Sequence, residues 1–310
     1  MEPFILLAGT ANPALAQAIA EQLGMPLGKC LTERFPDGEV SVQLLEPVRH
    51  KAVFIVQSTA PPVNDHLVEL LALVDACRRS AAARITAIIP YFGYARSDKR
   101  HARREPIAAS MVATVLQAIG VDHVVTLDLH APQIEGFFHI PVDSLTAVPL
   151  LCQALQGHLP PDVVVVSPDA GRVKMATEYA QRLNSSVVIL HKHRISGTET
   201  EVTRIVGKVR DRPCLIIDDM ISTGSTMVHG MEALLDAGAR PEITIAATHG
   251  LLIGDALDRL CLDCIKTILV TDTIAPQWPQ WPALHVISVA PLIAAAIQRF
   301  QTDGSIGDLF

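Results

Sequence analysis

The chain has 310 residues, of which 49% are apolar and 4% aromatic, and its formal charge is −7. A length of roughly 100–200 residues per domain predicts two domains, each with a sizeable core. The negative charge argues against a nucleic-acid partner, although a local basic cluster could still hold phosphate groups, so we expect a small-molecule partner.

The N-terminal segment and the cysteines indicate the cellular compartment that we expect for the protein. Residues 1–7 lack a basic lead and run directly into Gly9, which predicts a strand and turn rather than a signal peptide. Apolar runs stay short of the ~18 residues that cross a bilayer, so we expect a cytoplasmic protein with no membrane partner. The six cysteines are scattered, which does not indicate a disulfide framework. Cys261 and Cys264 form a lone C-x-x-C motif, for which a metal or redox role is disfavoured.

Short apolar runs rich in Val and Ile alternate with segments of helical period. In chain order, the predicted strands are residues 4–7, 52–56, 85–89, 123–127, 163–166, 187–190, 215–217, 242–247 and 267–270. Continuous apolar strands separated by helices predict mostly parallel sheets with both faces covered. The fold class is therefore α/β.

Two helices carry recognisable end signals, and one segment resembles a domain junction. Asp65 is predicted to cap a helix with an apolar side of Leu67, Leu70, Leu71 and Val74. Gly238 is predicted to end a helix that begins near Thr226. Residues 141–149 begin and end with proline and form a plausible junction between domains.

In open parallel sheets, ligands bind beyond the carboxyl ends of the strands. The strand at 215–217 leads into Asp218 and Asp219 and then into a loop of Ser, Thr and Gly at 222–226. Backbone N–H groups at the start of a helix attract phosphate, so this loop predicts a monophosphate cradle. The two carboxylates could accept hydrogen bonds from ribose hydroxyls. The alternative is an Asp helix cap followed by an ordinary turn.

The loop contains no Walker motif and resembles the ribose-phosphate motif of the phosphoribosyltransferase fold. Four further segments make the resemblance specific: residues 34–40 (R-F-P-D-G-E-V), 90–98 (P-Y-F-G-Y-A-R-S-D), 128–131 (D-L-H-A) and 167–171 (S-P-D-A-G). Together and in this order they resemble ribose-phosphate pyrophosphokinase, also called phosphoribosyl diphosphate synthetase, over essentially the whole chain.

The resemblance implies a fold and a reaction. It implies two similar phosphoribosyltransferase-like domains, with nucleotide-binding loops in residues 1–145 and the ribose 5-phosphate site and catalytic loop in residues 146–310. The implied reaction transfers the diphosphoryl group of ATP to the C1 hydroxyl of ribose 5-phosphate and releases AMP. Mg²⁺ is the implied cofactor. A homo-oligomer, of the hexamer-of-dimers type, is the implied assembly.

The resemblance also assigns residues to roles. Those implied to bind ATP are Phe35, Asp37, Gly38, Glu39, Arg96, Ser97, Asp98 and Lys99. Those implied to bind ribose 5-phosphate are Arg194, Asp218, Asp219, Ser222, Thr223, Gly224, Ser225 and Thr226. His130 and Asp169 are implied to bind the metal. Lys192 and Arg194 are the implied catalytic pair, on a loop that closes over the phosphates.

Several of these residues have plainer interpretations. Asp37 and Glu39 flank a glycine and could form a simple hairpin turn. His130 could be structural, and residues 191–194 could be an exposed strand end. Ser97 and Lys99 also depart from the Gln and Arg usual in the family, which weakens any planar contact there. Two alternative functions remain: a phosphoribosyltransferase, which would leave the N-terminal motifs unexplained, and a catalytically silent regulatory homologue.

Overall fold

The computed structural model describes residues 4–100, 102–194, 200–279, 281–302 and 304–309, and of residues 192–194 and 200–203 it describes the backbone alone. The chain forms two compact units. The first comprises Met1–Thr146, Thr273–Ala275 and Ser288–Phe310, and the second comprises Ala147–Asp272 and Pro276–Ile287.

The elements alternate between strand and helix, as the apolar periodicity predicts. The strands are β1 (Phe4–Ala8), β2 (Cys30–Arg34), β3 (Val40–Leu44), β4 (Ala52–Val56), β5 (Arg84–Ile89), β6 (His123–Leu127), β7 (Val142–Leu145), β8 (Val164–Ser167), β9 (Ser186–Arg194), β10 (Thr200–Val206), β11 (Cys214–Ile221), β12 (Ile243–Gly250), β13 (Ile265–Thr271) and β14 (Leu284–Ile287). The helices are α1 (Pro13–Gln22), α2 (Val63–Arg79), α3 (Ala108–Ile119), α4 (Val148–Leu155), α5 (Val173–Arg182), α6 (Ser225–Asp236), α7 (Ala256–Leu260) and α8 (Ala290–Phe300).

The first unit is built on a parallel sheet of order β1-β4-β5-β6-β7, beside a separate antiparallel hairpin of β2 and β3. Its core contains Leu7, Ile55, Leu73 and Leu116, all fully buried. Strands with buried residues on both faces need helices on both sides, which explains their continuous apolar sequences.

The second unit is built on a sheet of order β10-β9-β8-β11-β12-β13-β14. β10 pairs antiparallel with β9, and the other neighbours pair in parallel. Val166, Ile216, Leu234 and Ile245 are fully buried in its core. β8 and β11 are direct neighbours, so the loops that follow them emerge at the same edge of the sheet.

Each predicted strand is present, those at 52–56 and 123–127 with the predicted ends and the others with shifted ends, and the predicted α/β class is confirmed. β2, β3, β7, β10 and β14 were not predicted. β2 and β3 have polar, partly exposed sequences without a continuous apolar run. Gly238 does follow α6, with φ of +85°.

Two sequence-based assignments, one of a helix cap and one of a domain boundary, differ from the structure. The prediction that Asp65 caps a helix is wrong, because Pro62 precedes α2 and Asp65 lies in its first turn, paired with Arg34 at 2.9 Å. The division into residues 1–145 and 146–310 also differs, because α8 lies in the first unit, where it packs against α1. A division of the sequence into two continuous segments could not predict that the C-terminal residues belong to the first unit.

Two further observations concern membrane-spanning helices and cysteine chemistry. No helix in the described ranges is both long and apolar enough to cross a bilayer. The six cysteines are free thiols. Burial raises the pKa of Cys77, Cys152 and Cys214 to about 12, so these thiols act as small apolar side chains.

Replacing Leu73 with Ala tests whether α2 anchors the first core. Leu73 is 0% exposed, so the cavity should lower the free energy of unfolding by about 2–5 kcal/mol. Val68→Ala on the same helix is the control, since Val68 is 52% exposed and its truncation should change that energy by less than about 0.5 kcal/mol. Urea denaturation followed by circular dichroism measures both, and equal effects would contradict the described packing.

Candidate active site

The acid pair lies inside a buried strand. β11 continues through Asp218 and Asp219 to Ile221, and all eight of its residues are buried. The prediction that the acids follow the strand is therefore wrong. Parallel pairing with β12 extends β11 as far as Ile221, which pairs with Gly250. Asp218 is 9% exposed and Asp219 is 1% exposed. Two carboxylates at such a position need a cation or proton.

Arg172 supplies that cation. Its Nε lies 3.0 Å from Oδ1 of Asp218, and its Nη2 lies 2.8 Å from Oδ1 of Asp219. The guanidinium thus bridges two consecutive residues of β11 from the loop that follows β8. Asp169 shapes that loop, since its Oδ1 accepts hydrogen bonds from the backbone N–H groups of Gly171 (2.8 Å) and Arg172 (3.2 Å).

The balance of charge leaves Asp218 easy to protonate. Burial raises the pKa of Asp218 well above its usual range, and the neighbouring charge of Asp219 raises it further. The Arg172 guanidinium acts in the opposite direction and lowers it. One guanidinium faces two carboxylates, so the pair retains an excess of acceptor capacity for hydroxyl donors.

The loop after β11 joins directly to a helix, as the phosphate-cradle prediction requires. α6 begins at Ser225, and Gly224 precedes it with φ of +76°, a left-handed conformation that favours glycine. The Thr223 and Ser225 hydroxyl oxygens lie 3.1 Å apart. The first N–H groups of a helix lack carbonyl partners within it, so a helix start suits an anion.

A second cation that the sequence did not reveal lies beside this loop. Arg259 of α7 donates from Nη1 to the Ser225 Oγ over 2.8 Å. α7 packs against α6, and its Leu260 lies next to Gly224. Ser222 and Thr226, the remaining hydroxyl residues of the cradle, are respectively half-buried and exposed.

Lys192 and Arg194 lie in the final residues of β9, where the backbone pairs with Val202 and Thr200 of β10. This differs from the predicted loop position, because antiparallel pairing keeps the chain extended as far as Arg194. In an extended strand, residues i and i+2 lie on the same face, so Lys192 and Arg194 occupy positions on one face of β9. Their side chains, and residues 195–199, lie outside the described residues.

The first predicted nucleotide motif is the tip of the β2–β3 hairpin. The Phe35 N–H donates to the Glu39 carbonyl over 2.8 Å, Gly38 has φ of +95°, and the Asp37 carboxylate accepts from the Glu39 N–H over 3.1 Å. The simple hairpin interpretation is thus right for the backbone. Phe35 is 49% exposed, so the turn presents an aromatic ring to solvent.

The second predicted nucleotide motif contains both exposed and buried residues. Arg96 and Lys99 are exposed. Ser97 is half-buried, and its Oγ accepts from the Ala108 N–H over 3.3 Å at the start of α3. Asp98 is buried and accepts from the Gln133 amide. Arg96 and Lys99 are therefore accessible to a ligand, whereas Asp98 has a structural partner.

The predicted metal residues lie in loops after parallel strands. His130 follows β6 and is half-buried, and Asp169 follows β8 and is half-buried. In the part of the chain that the structure describes, no three His, Cys, Asp or Glu side chains converge as metal ligands. Mg²⁺ often takes one or two carboxylates together with substrate phosphates, and Asp169 offers a donor of that kind.

The chain matches two family models. The N-terminal domain of ribose phosphate pyrophosphokinase matches residues 4–120, and the phosphoribosyl synthetase-associated domain matches residues 194–310. A ribose-phosphate pyrophosphokinase of Caldanaerobacter subterraneus subsp. tengcongensis is 46% identical over 307 residues, which cover 98% of this chain and 97% of that protein. The chain belongs to the ribose-phosphate pyrophosphokinase family. A Rhizobium meliloti relative of the same name is 45% identical over 308 residues, covering 98% and 99%.

A solved structure extends this likeness to the fold. The crystal structure of phosphoribosylpyrophosphate synthetase from Mycobacterium smegmatis matches with a TM-score of 0.91 and 39% identity, covering 98% of this chain and 100% of that one. The family, the fold class and the enzyme class predicted from the sequence, a ribose-phosphate diphosphokinase, are thereby confirmed. Because the relatives match over nearly their whole length, the family favours this enzyme over the phosphoribosyltransferase alternative.

Replacing Gly224 with Ala tests the cradle geometry. A Cβ there would lie 3.2 Å from Leu260 Cγ, and the residue would have to keep a φ of +76°. Steric crowding and backbone strain would therefore both destabilise the variant. The left-handed conformation alone costs roughly 1–2 kcal/mol for a residue with a Cβ. Gly254→Ala is the control, since Gly254 has φ of +59° and open space around its Cβ. Thermal denaturation should show a larger loss for Gly224→Ala, and equal losses would contradict the contact with Leu260.

Proposed function

We propose that the chain transfers the diphosphoryl group of ATP to the C1 hydroxyl of ribose 5-phosphate, giving 5-phosphoribosyl 1-diphosphate and AMP. The observation that carries the proposal is the acid pair of β11 leading into the loop at the start of α6, in a chain that matches the ribose-phosphate pyrophosphokinase family over its length.

Ribose 5-phosphate has two recognition features, and the second unit offers a partner for each. Asp218 and Asp219 would accept hydrogen bonds from the ribose hydroxyls, as carboxylates accept only. The 5-phosphate would lie at the start of α6, where N–H groups and hydroxyls donate to an anion. The donors we propose are those of Ser222, Thr223, Gly224, Ser225 and Thr226. Only two residues separate Asp219 from Ser222, so the carboxylates and the phosphate donors are close enough in the chain to bind one small sugar phosphate.

ATP would bind the motifs of the first unit. The exposed ring of Phe35 offers a surface for stacking on adenine, and Asp37 and Glu39 offer acceptors for its amino group. Exposed Arg96 and Lys99 would neutralise phosphate charge. We also assign Gly38, Ser97 and Asp98 to this site, with Gly38 shaping the turn and Asp98 acting through its hydrogen bond to Gln133.

Mg²⁺ is the proposed cofactor, with Asp169 and His130 holding or orienting it. When bound, the ion neutralises charge on the phosphate oxygens. The Asp169 carboxylate is a hard oxygen donor that suits this ion, and its Oδ1 is already held by the Gly171 and Arg172 N–H groups. Asp169 therefore presents a fixed carboxylate at the end of β8.

Lys192 and Arg194 are the proposed catalytic pair. Phosphoryl-type transfer spreads negative charge over oxygens that cations stabilise, and Arg194 would also contact the sugar phosphate. We further propose a cytoplasmic homo-oligomer of the hexamer-of-dimers type, whose subunit number sedimentation equilibrium measures.

Incubating the purified protein with ATP, MgCl₂ and ribose 5-phosphate tests the function. AMP and 5-phosphoribosyl 1-diphosphate should form in equal amounts. A phosphoribosyltransferase would consume 5-phosphoribosyl 1-diphosphate only when a base is added. A silent homologue would form no AMP, and either result would overturn the proposal.

Replacing Lys192 or Arg194 with Ala tests the catalytic pair. If these cations contact charge that develops in the transition state, kcat should fall by roughly 10² or more while KM changes much less. Lys208→Ala, which removes an exposed lysine of the same unit, should leave both constants unchanged. A change confined to KM would instead indicate ground-state binding.

Replacing Asp218 with Ala tests the acid pair. Loss of a charged acceptor should weaken ribose 5-phosphate binding by about 1.5–3 kcal/mol, measured by calorimetry on folded protein. Asp236→Ala, which removes an exposed carboxylate at the end of α6, is the matched control. Unchanged affinity in Asp218→Ala would rule out this contact.

A further inference from the structure

We infer that Arg172 is a positioning residue for ribose 5-phosphate, holding Asp218 and Asp219 aligned to accept the ribose hydroxyls. This inference deepens the proposed function and rests on it. Arg172 does not itself contact the sugar. It acts through the two carboxylates that it bridges.

Topology brings Arg172 to the acid pair. β8 and β11 pair in parallel from Val164 and Cys214, so the loop after β8 emerges beside the acid end of β11. Asp169 then turns this loop by accepting from the Gly171 and Arg172 N–H groups. The backbone of Arg172 is therefore fixed before its side chain reaches across to the neighbouring strand.

The contact leaves the carboxylates able to bind a ligand. Arg172 contacts the Oδ1 atom of each. An ionised carboxylate has about four acceptor positions on its two oxygens, so a carboxylate paired with a guanidinium can still accept from a hydroxyl donor. Because Nε and Nη2 belong to one rigid plane, they also fix the two acids relative to each other.

Burial makes this cation hard to replace by solvent. The side chains of Arg172, Asp218 and Asp219 are 13%, 12% and 1% exposed. Removal of one partner from a buried ion pair leaves an uncompensated charge. Without Arg172, the acids would turn away or take up a proton, and a protonated carboxyl is a poorer acceptor for a sugar hydroxyl.

The test compares Arg172→Met, Arg172→Lys and a control. Calorimetry with ribose 5-phosphate and steady-state kinetics are measured for each variant. Arg172→Met should raise the Kd and the KM for ribose 5-phosphate about tenfold or more, while the KM for ATP changes less than about twofold. Arg172→Lys keeps the charge without the planar fork, so its values should fall in between. Arg182→Met removes an exposed arginine paired with Glu178 on α5 and should match wild type.

The outcomes separate the inference from the proposed function. If the wild-type protein forms no AMP, the proposed function is overturned. The ribose 5-phosphate Kd values of the wild type and the Arg172 variants can still be compared, so the inference about Arg172 is still tested. A folded Arg172→Met with wild-type affinity overturns the inference, as does an equal rise of both substrates' KM values, which indicates a general structural role. If Arg172→Met does not fold, Arg172→Lys decides: an unchanged ribose 5-phosphate Kd overturns the inference.

Discussion

The second unit depends on the pairing of one guanidinium with two adjacent carboxylates at the buried end of a strand. Unpaired charges at this depth would each cost several kcal/mol. The Nε and Nη2 atoms of Arg172 lie within 3.0 Å of one oxygen on each acid. The buried carboxylates at the end of the apolar run of β11 are therefore tolerated, because β8 lies beside β11 and the loop after β8 carries Arg172.

This arrangement links parts of the site that are distant in sequence. Asp169, the proposed metal residue, shapes the turn that carries Arg172, and Arg172 contacts the acids that precede the proposed phosphate cradle. A single edge of the second sheet thus holds side chains from two strand ends. Burial and then the neighbouring charge of Asp219 raise the pKa of Asp218, and together they outweigh the lowering effect of Arg172. Hydroxyl donors from a sugar would complete this environment.

Sequence patterns predicted the parts of the fold that rest on local chemistry. Continuous apolar runs predicted the central strands, and the Ser-Thr-Gly loop predicted the start of α6. Arg172 was missed because its role depends on the β8–β11 pairing, although its position just after the quoted S-P-D-A-G motif was a usable signal. The hairpin β2–β3 was missed because its residues are half exposed, and α8 was misassigned because the chain returns to the first unit.

A crystal structure of the protein with ribose 5-phosphate tests the central claim most directly. The account predicts ribose hydroxyls within about 3 Å of Asp218 and Asp219 carboxylate oxygens, the 5-phosphate against the N–H groups at the start of α6, and Arg172 still bridging both acids. A sugar phosphate bound away from β11, or an Arg172 side chain that leaves the acids to bind the phosphate itself, would contradict it.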